Sequence, residues 1–379
     1  MLFLNKEFTS FDNLFDTLTS DPFFLKIKQT DNIFLITHSK KTPINNFTRQ
    51  CFGIIVDKMT LKPISQAFNK MWEITGKHND EEIHQIIASH EFFNTETITI
   101  EEAIDGTLVR LYHNGSEWKK ATKNCIDAYN SFWNNSKSFG EMFDECAFDL
   151  NYDLLDPDYS YSFVIQHSEN RIIVPYTQNT LVHLLTRHNQ TSDEVNINIG
   201  LPKPRQFHFD NIHDIFRSLV NVPWTFHGYV LINDQNDRLK IENPNYSKVK
   251  ELKGNNTNIR IRILQLLHSR QKSIFLKYFP EHRELVDSVI LDIQQLATKI
   301  HRTYIQRYVK RNNEYPQPEE YTTFLKKLDW LYHQFRKPTE YKDVLHVTMD
   351  CPTLKLAITL GYIGQKKIPQ ILEVGEQPI

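Results

Sequence analysis

Long apolar runs are missing from this 379-residue chain. No stretch of about 18 apolar residues occurs, which excludes a transmembrane helix. The four cysteines (Cys51, Cys125, Cys146, Cys351) are scattered, with no Cys-x-x-Cys pair. That argues against a zinc ribbon or a disulfide framework and suits a reducing, cytoplasmic compartment. The amino-terminal stretch MLFLNKEFTSFDNLF lacks the basic start and small-residue cleavage site of a secretory signal. Charge of one sign is also missing: 44 Lys and Arg face 46 Asp and Glu, so any nucleic-acid surface must be a local patch. Internal repeats and low-complexity tracts are absent. Glycine is scarce beside Phe, Asn, Ile and Lys, a bias that speaks to origin and not to physics.

What is present suffices for a sizeable core: 40% of residues are apolar and 12% aromatic, which excludes global disorder. The length suits two domains. The first half carries β-branched and aromatic runs bounded by Asn, Asp, Gly or Ser: 31–39, 53–57, 96–102, 107–115, 117–122, 161–167 and 171–176. Asn114-Gly115 is the strongest hairpin signal, since both positions tolerate positive φ. A second hairpin is expected over 228–242, turning at Asn233 to Asn236. Segments 80–92 and 211–220 read as helices by their 3.6-residue period. Beyond about residue 256 the pattern becomes helical, in NIRIRILQLLHSRQKSIFLKYF, in the stretch from His282 to Arg311, and in EEYTTFLKKLDWLYHQFRK. Pro316 and Pro318 separate helices there. The expectation is an α+β domain over 1–255 and a helical domain over 256–379.

Five stretches stand out in order. Ser65-Gln66-Ala67-Phe68-Asn69-Lys70 comes first, then Ala103-Ile104-Asp105-Gly106-Thr107. Phe163-Val164-Ile165-Gln166-His167-Ser168-Glu169-Asn170-Arg171-Ile172-Ile173 follows. His227-Gly228-Tyr229-Val230 and Lys240-Ile241-Glu242-Asn243-Pro244-Asn245-Tyr246 complete the set. In this order they resemble the ATP-dependent RNA ligases of the bacteriophage RNA ligase 1 type, within the covalent nucleotidyltransferases. The resemblance spans nearly the whole chain. It implies a nucleotidyltransferase (ligase adenylation) domain of antiparallel sheets and helices, followed by an all-helical C-terminal domain.

The resemblance also implies site residues. Ala103 stands where the family's nucleophilic lysine becomes lysyl-AMP, and alanine has no amine to offer. Asp105 and Gly106 match the family, and Lys70, Glu169, Arg171 and Lys240 fall at nucleotide-binding positions. Gln66 stands where the family has an arginine. Val164 and His227 replace carboxylates, so a hard, oxygen-seeking Mg²⁺ loses ligands. Glu242 replaces a lysine aimed at phosphate. At roughly 4 Å and an effective dielectric of about 20, each charge term is about 4 kcal/mol, so Glu242 is expected to oppose a bound phosphate. No metal and no cofactor are expected for this sequence; ATP and Mg²⁺ belong to it only as an active ligase.

The same residues have plainer readings. Asp105-Gly106 suits an ordinary turn, Glu169-Asn170-Arg171 a solvated loop, and His227 a packed ring. Lys70 and Lys240 also suit solvated strands.

Outside the motifs, Lys299, His301, Arg302, Arg307, Lys310 and Arg311 lie in a stretch with no acid between Asp292 and Glu314, and Tyr304 and Tyr308 are interleaved. This suits phosphate contacts and base stacking; a solvated face of a core-packed helix is the alternative. The expected function is an RNA-binding protein on an RNA-ligase scaffold without ligase activity, a pseudoenzyme, with tRNA among the candidate partners. One alternative is an active RNA end-joining or repair ligase whose nucleophilic lysine has been replaced by Ala103. Another is a protein-interaction subunit of an RNA-processing or viral assembly. No residue pattern specifies an oligomeric state.

Overall fold

The computed structural model describes residues 8–76, 78–89, 98–133, 137–256 and 258–363. The chain divides into two units, Met1–Glu251 and Leu252–Ile379. The first is mixed α+β with antiparallel sheets, and the second is helical.

In the first unit, β1 (Leu25–Gln29), β2 (Ile33–His38), β3 (Ile54–Asp57) and β4 (Pro63–Ser65) form an antiparallel sheet in chain order. The chain continues through β5 (Trp72–Ile74), β6 (Thr99–Glu102), β7 (Thr107–His113), β8 (Trp118–Thr122), β9 (Tyr159–Gln166) and β10 (Thr180–His188). It then forms β11 (Glu194–Val195), β12 (Gln206–Phe207), β13 (Gly228–Ile232) and β14 (Arg238–Glu242). One five-stranded sheet runs β11-β10-β9-β7-β8, the other β12-β6-β13-β14-β5. Only the β14–β5 pair is parallel among the described strands.

Turn chemistry sets both hairpins. Asn114 Oδ1 accepts from the Ser116 and Glu117 N–H groups, and Gly115 takes φ 98°, closing β7 onto β8. Asn233 Oδ1 accepts from Gln235 and Asp237 N–H, closing β13 onto β14. The 171–176 run is not a strand, although its composition reads as one. Its Ile173 and Val174 N–H groups donate to the Asp105 carboxylate at 3.0 and 2.8 Å, so they are spent outside any ladder. Residues 90–97, the ends of two expected elements, lie outside the described residues.

Strand alternation gives the central sheet two buried faces. Val109, Leu111 and Phe163 face Phe139, Met142 and Phe143, and Tyr112 and Ala121 face the β1–β4 sheet through Leu35 and Ile55. Chain order gives α1 (Phe11–Thr19), α2 (Asp80–Ser89), α3 (Phe139–Cys146), α4 (Ile212–Leu219) and α5 (Pro244–Lys253). Leu14 and Leu18 of α1 pack on Phe34 and Val56. Phe143 of α3 meets Phe163 edge-on at 5.6 Å, and Ile215 and Leu219 of α4 cover Tyr229 and Leu231. Each such side chain contributes about 1.5–3 kcal/mol by leaving water.

The second unit holds α6 (Ile259–His268), α7 (Lys272–Tyr278), α8 (Arg283–Tyr304), α9 (Thr322–Phe335), α10 (Tyr341–Met349) and α11 (Thr353–Thr359). The expected single helix before residue 280 is two, broken where Arg270 takes φ 58°. Val286, Val289, Ile293, Leu296 and Ile300 form the buried stripe of α8, against α6, α9 and α10. A π-helical turn, Ile305–Val309, follows α8 and shifts the register of everything after it. No helix among the described residues is long and apolar enough to cross a membrane.

Candidate functional site

A cavity of about 610 Å³ opens in the first unit, walled by residues of β6, β7, β9, β10, β13 and β14 and by loops beside them. That volume lies in the range of small-molecule sites. Ala103 sits in its wall just after β6, 4% exposed, its N–H donating to the Gly228 carbonyl at 2.9 Å. Gly106, also in the wall, has φ +145°. A Cβ there would stand 2.4 Å from the Ile165 carbonyl oxygen and 2.5 Å from the Val164 Cγ1 methyl. Only glycine lets β7 pass β9 so closely.

Asp105 lies between them and does a different job. One carboxylate oxygen accepts from Ile173 and Val174 N–H; the other accepts from the Tyr246 hydroxyl at 2.6 Å. The Tyr176 hydroxyl donates to the Asp105 carbonyl at 2.9 Å. Burial and the neighbouring carboxylate push both phenols far above their ordinary range. Asp105 is thus a buried tie across 141 residues of chain and not a wall of the cavity.

The walls carry charge of both signs, five Lys and Arg side chains against the carboxylates of Glu73, Glu101 and Glu102. Lys70 and Lys240 line the cavity, and so does Lys123, which sequence reasoning passed over. Its signal was its place: it follows β8 by one residue, on the same side as buried Ala121 by strand alternation. Burial lowers the Lys123 pKa, and the Lys70 charge lowers it further. Its ammonium sits 4.6 Å from the Phe52 ring. His38, also in the wall, is held below its ordinary pKa by burial and by the charges of Lys70 and Lys123, though its bond to the Thr48 carbonyl opposes this. Lys240 pairs with Glu73 at 3.0 Å, across the parallel β14–β5 register.

The substituted motif positions separate. Val164 lines the cavity with its side-chain methyls. His227 lines it too, its ring stacked on Tyr246 at 4.1 Å and 22°. The expectation for Glu242 is overturned. Its carboxylate is buried and accepts from the Ser247 hydroxyl and from Lys250 at 2.9 Å; it is not a wall of the cavity. Burial would raise its pKa, but His227, Ser247 and Lys250 outweigh that and hold it at about 2. A charge neutralised by its own lysine does not repel a phosphate elsewhere by several kcal/mol.

Glu169 and Arg171 are not walls of the cavity either. Arg171 donates to the Ile173 carbonyl at 2.9 Å and lies 5.9 Å from the Trp224 ring. Glu169 pairs with Lys137 at 2.6 Å, and Lys137 pairs with Glu145 at 2.9 Å. Glu145, His167 and Glu169 bring their ligand atoms within 4.8 Å of one another, the spacing of a metal site. The hydrogen bonds oppose one. His167 Nδ1 accepts from the Glu169 N–H at 3.1 Å, which leaves the neutral ring's proton on Nε2, facing Glu145 at 2.9 Å. A metal on Nε2 must break the first bond and displace Lys137.

In the second unit, Lys299, Arg302, Lys310 and Arg311 are exposed. Arg307 is not available as expected: it donates to the Asn313 and Tyr315 carbonyls at 2.7 and 2.9 Å, tying down the chain after the π-turn. Tyr304 does not serve base stacking, being 2% exposed and stacked on Tyr308 at 5.4 Å. Trp330 and Phe335 on α9, which the sequence reading did not single out, are exposed.

No family model matches the sequence. An immediate-early protein ICP-46 homolog of Invertebrate iridescent virus 6 is 22% identical over 342 residues, 82% of this chain and 73% of that protein. The "Putative bifunctional polynucleotide kinase/RNA ligase" of Autographa californica nuclear polyhedrosis virus is 24% identical over 254 residues. The match covers 62% of this chain but only 36% of that protein. Among solved structures, an archaeal ATP-dependent RNA ligase (form 2) aligns over 97% of this chain and 88% of its own, with 12% identity and a TM-score of 0.43.

Proposed function

We propose that this protein binds RNA on a ligase-type scaffold, that its cavity receives a nucleotide or an RNA end without covalent capture, and that tRNA is a candidate partner. One observation carries this reading: the cavity keeps Lys70, Lys123 and Lys240 while the Ala103 methyl occupies its wall. Amines around a concave, partly apolar space attract phosphate. An alanine there attacks nothing. The similarity to a viral protein named for RNA ligation supports the choice of RNA.

The residues present do not fit Mg²⁺. Of the three carboxylates in the wall, Glu73 is paired with Lys240, Glu102 is paired with Arg205 at 2.6 Å, and burial raises the pKa of Glu101 and disfavours its ionised form; the one three-ligand cluster among the described residues lies outside the cavity. We derive no step through the metal. The cavity's own side chains bind and orient: lysines hold the phosphate, and Val164, Leu108 and Phe68 exclude water around the rest.

Incubation with labelled ATP and Mg²⁺ yields no acid-labile protein adenylate, and Ala103→Lys alone does not restore one, because Val164 and His227 still stand where metal ligands are needed. Strong lysyl-AMP in that single variant shows the remaining site to be intact and the ligase reading to be right. Labelled RNA binds with an affinity that falls with salt; no binding at low salt favours a protein-interaction subunit instead.

A further inference from the structure

Arg110, on β7, is 1% exposed, and both its Nη1 and Nη2 are buried without a hydrogen-bond partner. No carboxylate is paired with it among the described residues. Guanidinium stays ionised: even with burial pushing its pKa down to about 10, it is charged at neutral pH. An unpartnered buried charge is among the most costly features a fold can carry.

Its surroundings are not apolar. Arg110 pairs directly with Ser162 across the β7–β9 register, so their side chains stand side by side on one face. The Ser162 hydroxyl is buried without a partner. β4 packs against both β7 and β9, and its Ser65 hydroxyl is also buried and unpartnered. The next residue fixes β4 over this face, since the Gln66 N–H donates to Ser160 Oγ at 3.3 Å. Three donor side chains without acceptors thus lie where two sheets meet. Two residues along the same strands and on the same face, roughly 7 Å away, stand Leu108 and Val164, which line the cavity.

We propose that Arg110, Ser65 and Ser162 form a buried anion site, in which the guanidinium and two hydroxyls donate to one small anionic group. A free halide supplies that group, or a phosphoryl oxygen of a ligand seated in the adjoining cavity does. The site does not depend on RNA binding, and its failure leaves that reading untouched.

The test uses the full chain. Crystals soaked in bromide are examined for anomalous signal, and melting temperature is followed as chloride or bromide replaces gluconate at fixed ionic strength. The expected result is bromide within about 3.5 Å of the Arg110 guanidinium nitrogens and a halide-dependent rise of about 3 °C. Arg110→Met abolishes that dependence. Repeating the halide series with saturating AMP present separates the sources: if AMP removes the halide dependence, the phosphoryl group takes the site, and if it does not, the halide does. Ordered waters alone at Arg110, or bromide there with no halide effect on melting, overturns the proposal. Should Arg110→Met fail to fold, the wild-type halide series and the crystal decide.

Discussion

The cavity of the first unit and the α8 face of the second hold positive charge in opposite ways. In the cavity, Lys240 is answered by Glu73, Arg238 by Glu194 at 2.7 Å, and Lys123 is pressed by burial and by Lys70. On and after α8, Lys299, Arg302, Lys310 and Arg311 stand exposed, with no acid in the sequence between Asp292 and Glu314. Charges fixed by partners define a shape, and a ligand must match it. Exposed charges define a field, which any polyanion feels and which salt screens. Under the proposed function, the selective step falls to the cavity and the RNA affinity to the exposed charges of α8.

The largest expected effect breaks the cavity arm alone. Asp105→Ala removes the acceptor from two backbone N–H groups and the Tyr246 hydroxyl, all buried. Urea unfolding is expected to show a loss of about 3–5 kcal/mol, since each stranded donor costs about 1–3 kcal/mol and relaxation recovers part. A loss under 1 kcal/mol means that Asp105 is poised for ligand rather than spent on structure.

Next comes the carboxylate beside the cavity. Glu242 is held at about 2, below its ordinary 4.5. Its folded pKa is depressed, so its stabilisation is complete above about 4.5 and is lost as the pH falls toward 2. Over that window the wild type is expected to lose at most about 3 kcal/mol through this group. Glu242→Gln flattens the melting temperature against pH there. An unchanged profile shows that Lys250 and Ser247 do not hold the carboxylate as described.

Arg307 sharpens the comparison because it lies in the basic stretch yet behaves like a cavity charge. Its bonds to the Asn313 and Tyr315 carbonyls predict that Arg307→Ala costs about 1–2 kcal/mol in thermal or urea unfolding. The salt dependence of RNA binding is expected to stay as it was. A slope that falls by one contact instead returns Arg307 to the exposed group.

Local rules made much of this legible. Asn114-Gly115 and Asn233 announced their hairpins, because a turn is decided by its own few residues. The helical pattern from His282 to Arg311 announced α8, whose Val289, Ile293, Leu296 and Ile300 recur at three and four residues. The 171–176 run misled because its fate was decided by Asp105, more than 60 residues away in sequence. Glu242 misled likewise: a motif position gives a residue type, but Lys250 on the following helix decides where the charge goes. Strand alternation was the one signal that Lys123 carried, and Arg110 was unreadable as a site residue because strand pairing, not spacing, brings it to the sheet interface. The π-turn had no sequence signal, and it took Lys310 and Arg311 out of the register that a straight helix gives.

The smallest effect on stability tests the other arm. Arg302→Ala, Lys310→Ala and Arg311→Ala together remove three exposed charges, and such truncations change stability by under about 0.5 kcal/mol each. Each phosphate contact on a single strand contributes about −0.7 to the slope of log affinity against log salt, so the triple variant is expected to flatten that slope by about 2. Fluorescence anisotropy with labelled tRNA and with single-stranded RNA, from low to moderate salt, reads both slope and affinity. If the slope survives the triple change, the phosphate contacts lie elsewhere. Lys70→Ala with Lys123→Ala then becomes the informative pair: a slope that falls there assigns the whole polyanion footprint to the cavity, and the division of labour between the two units fails.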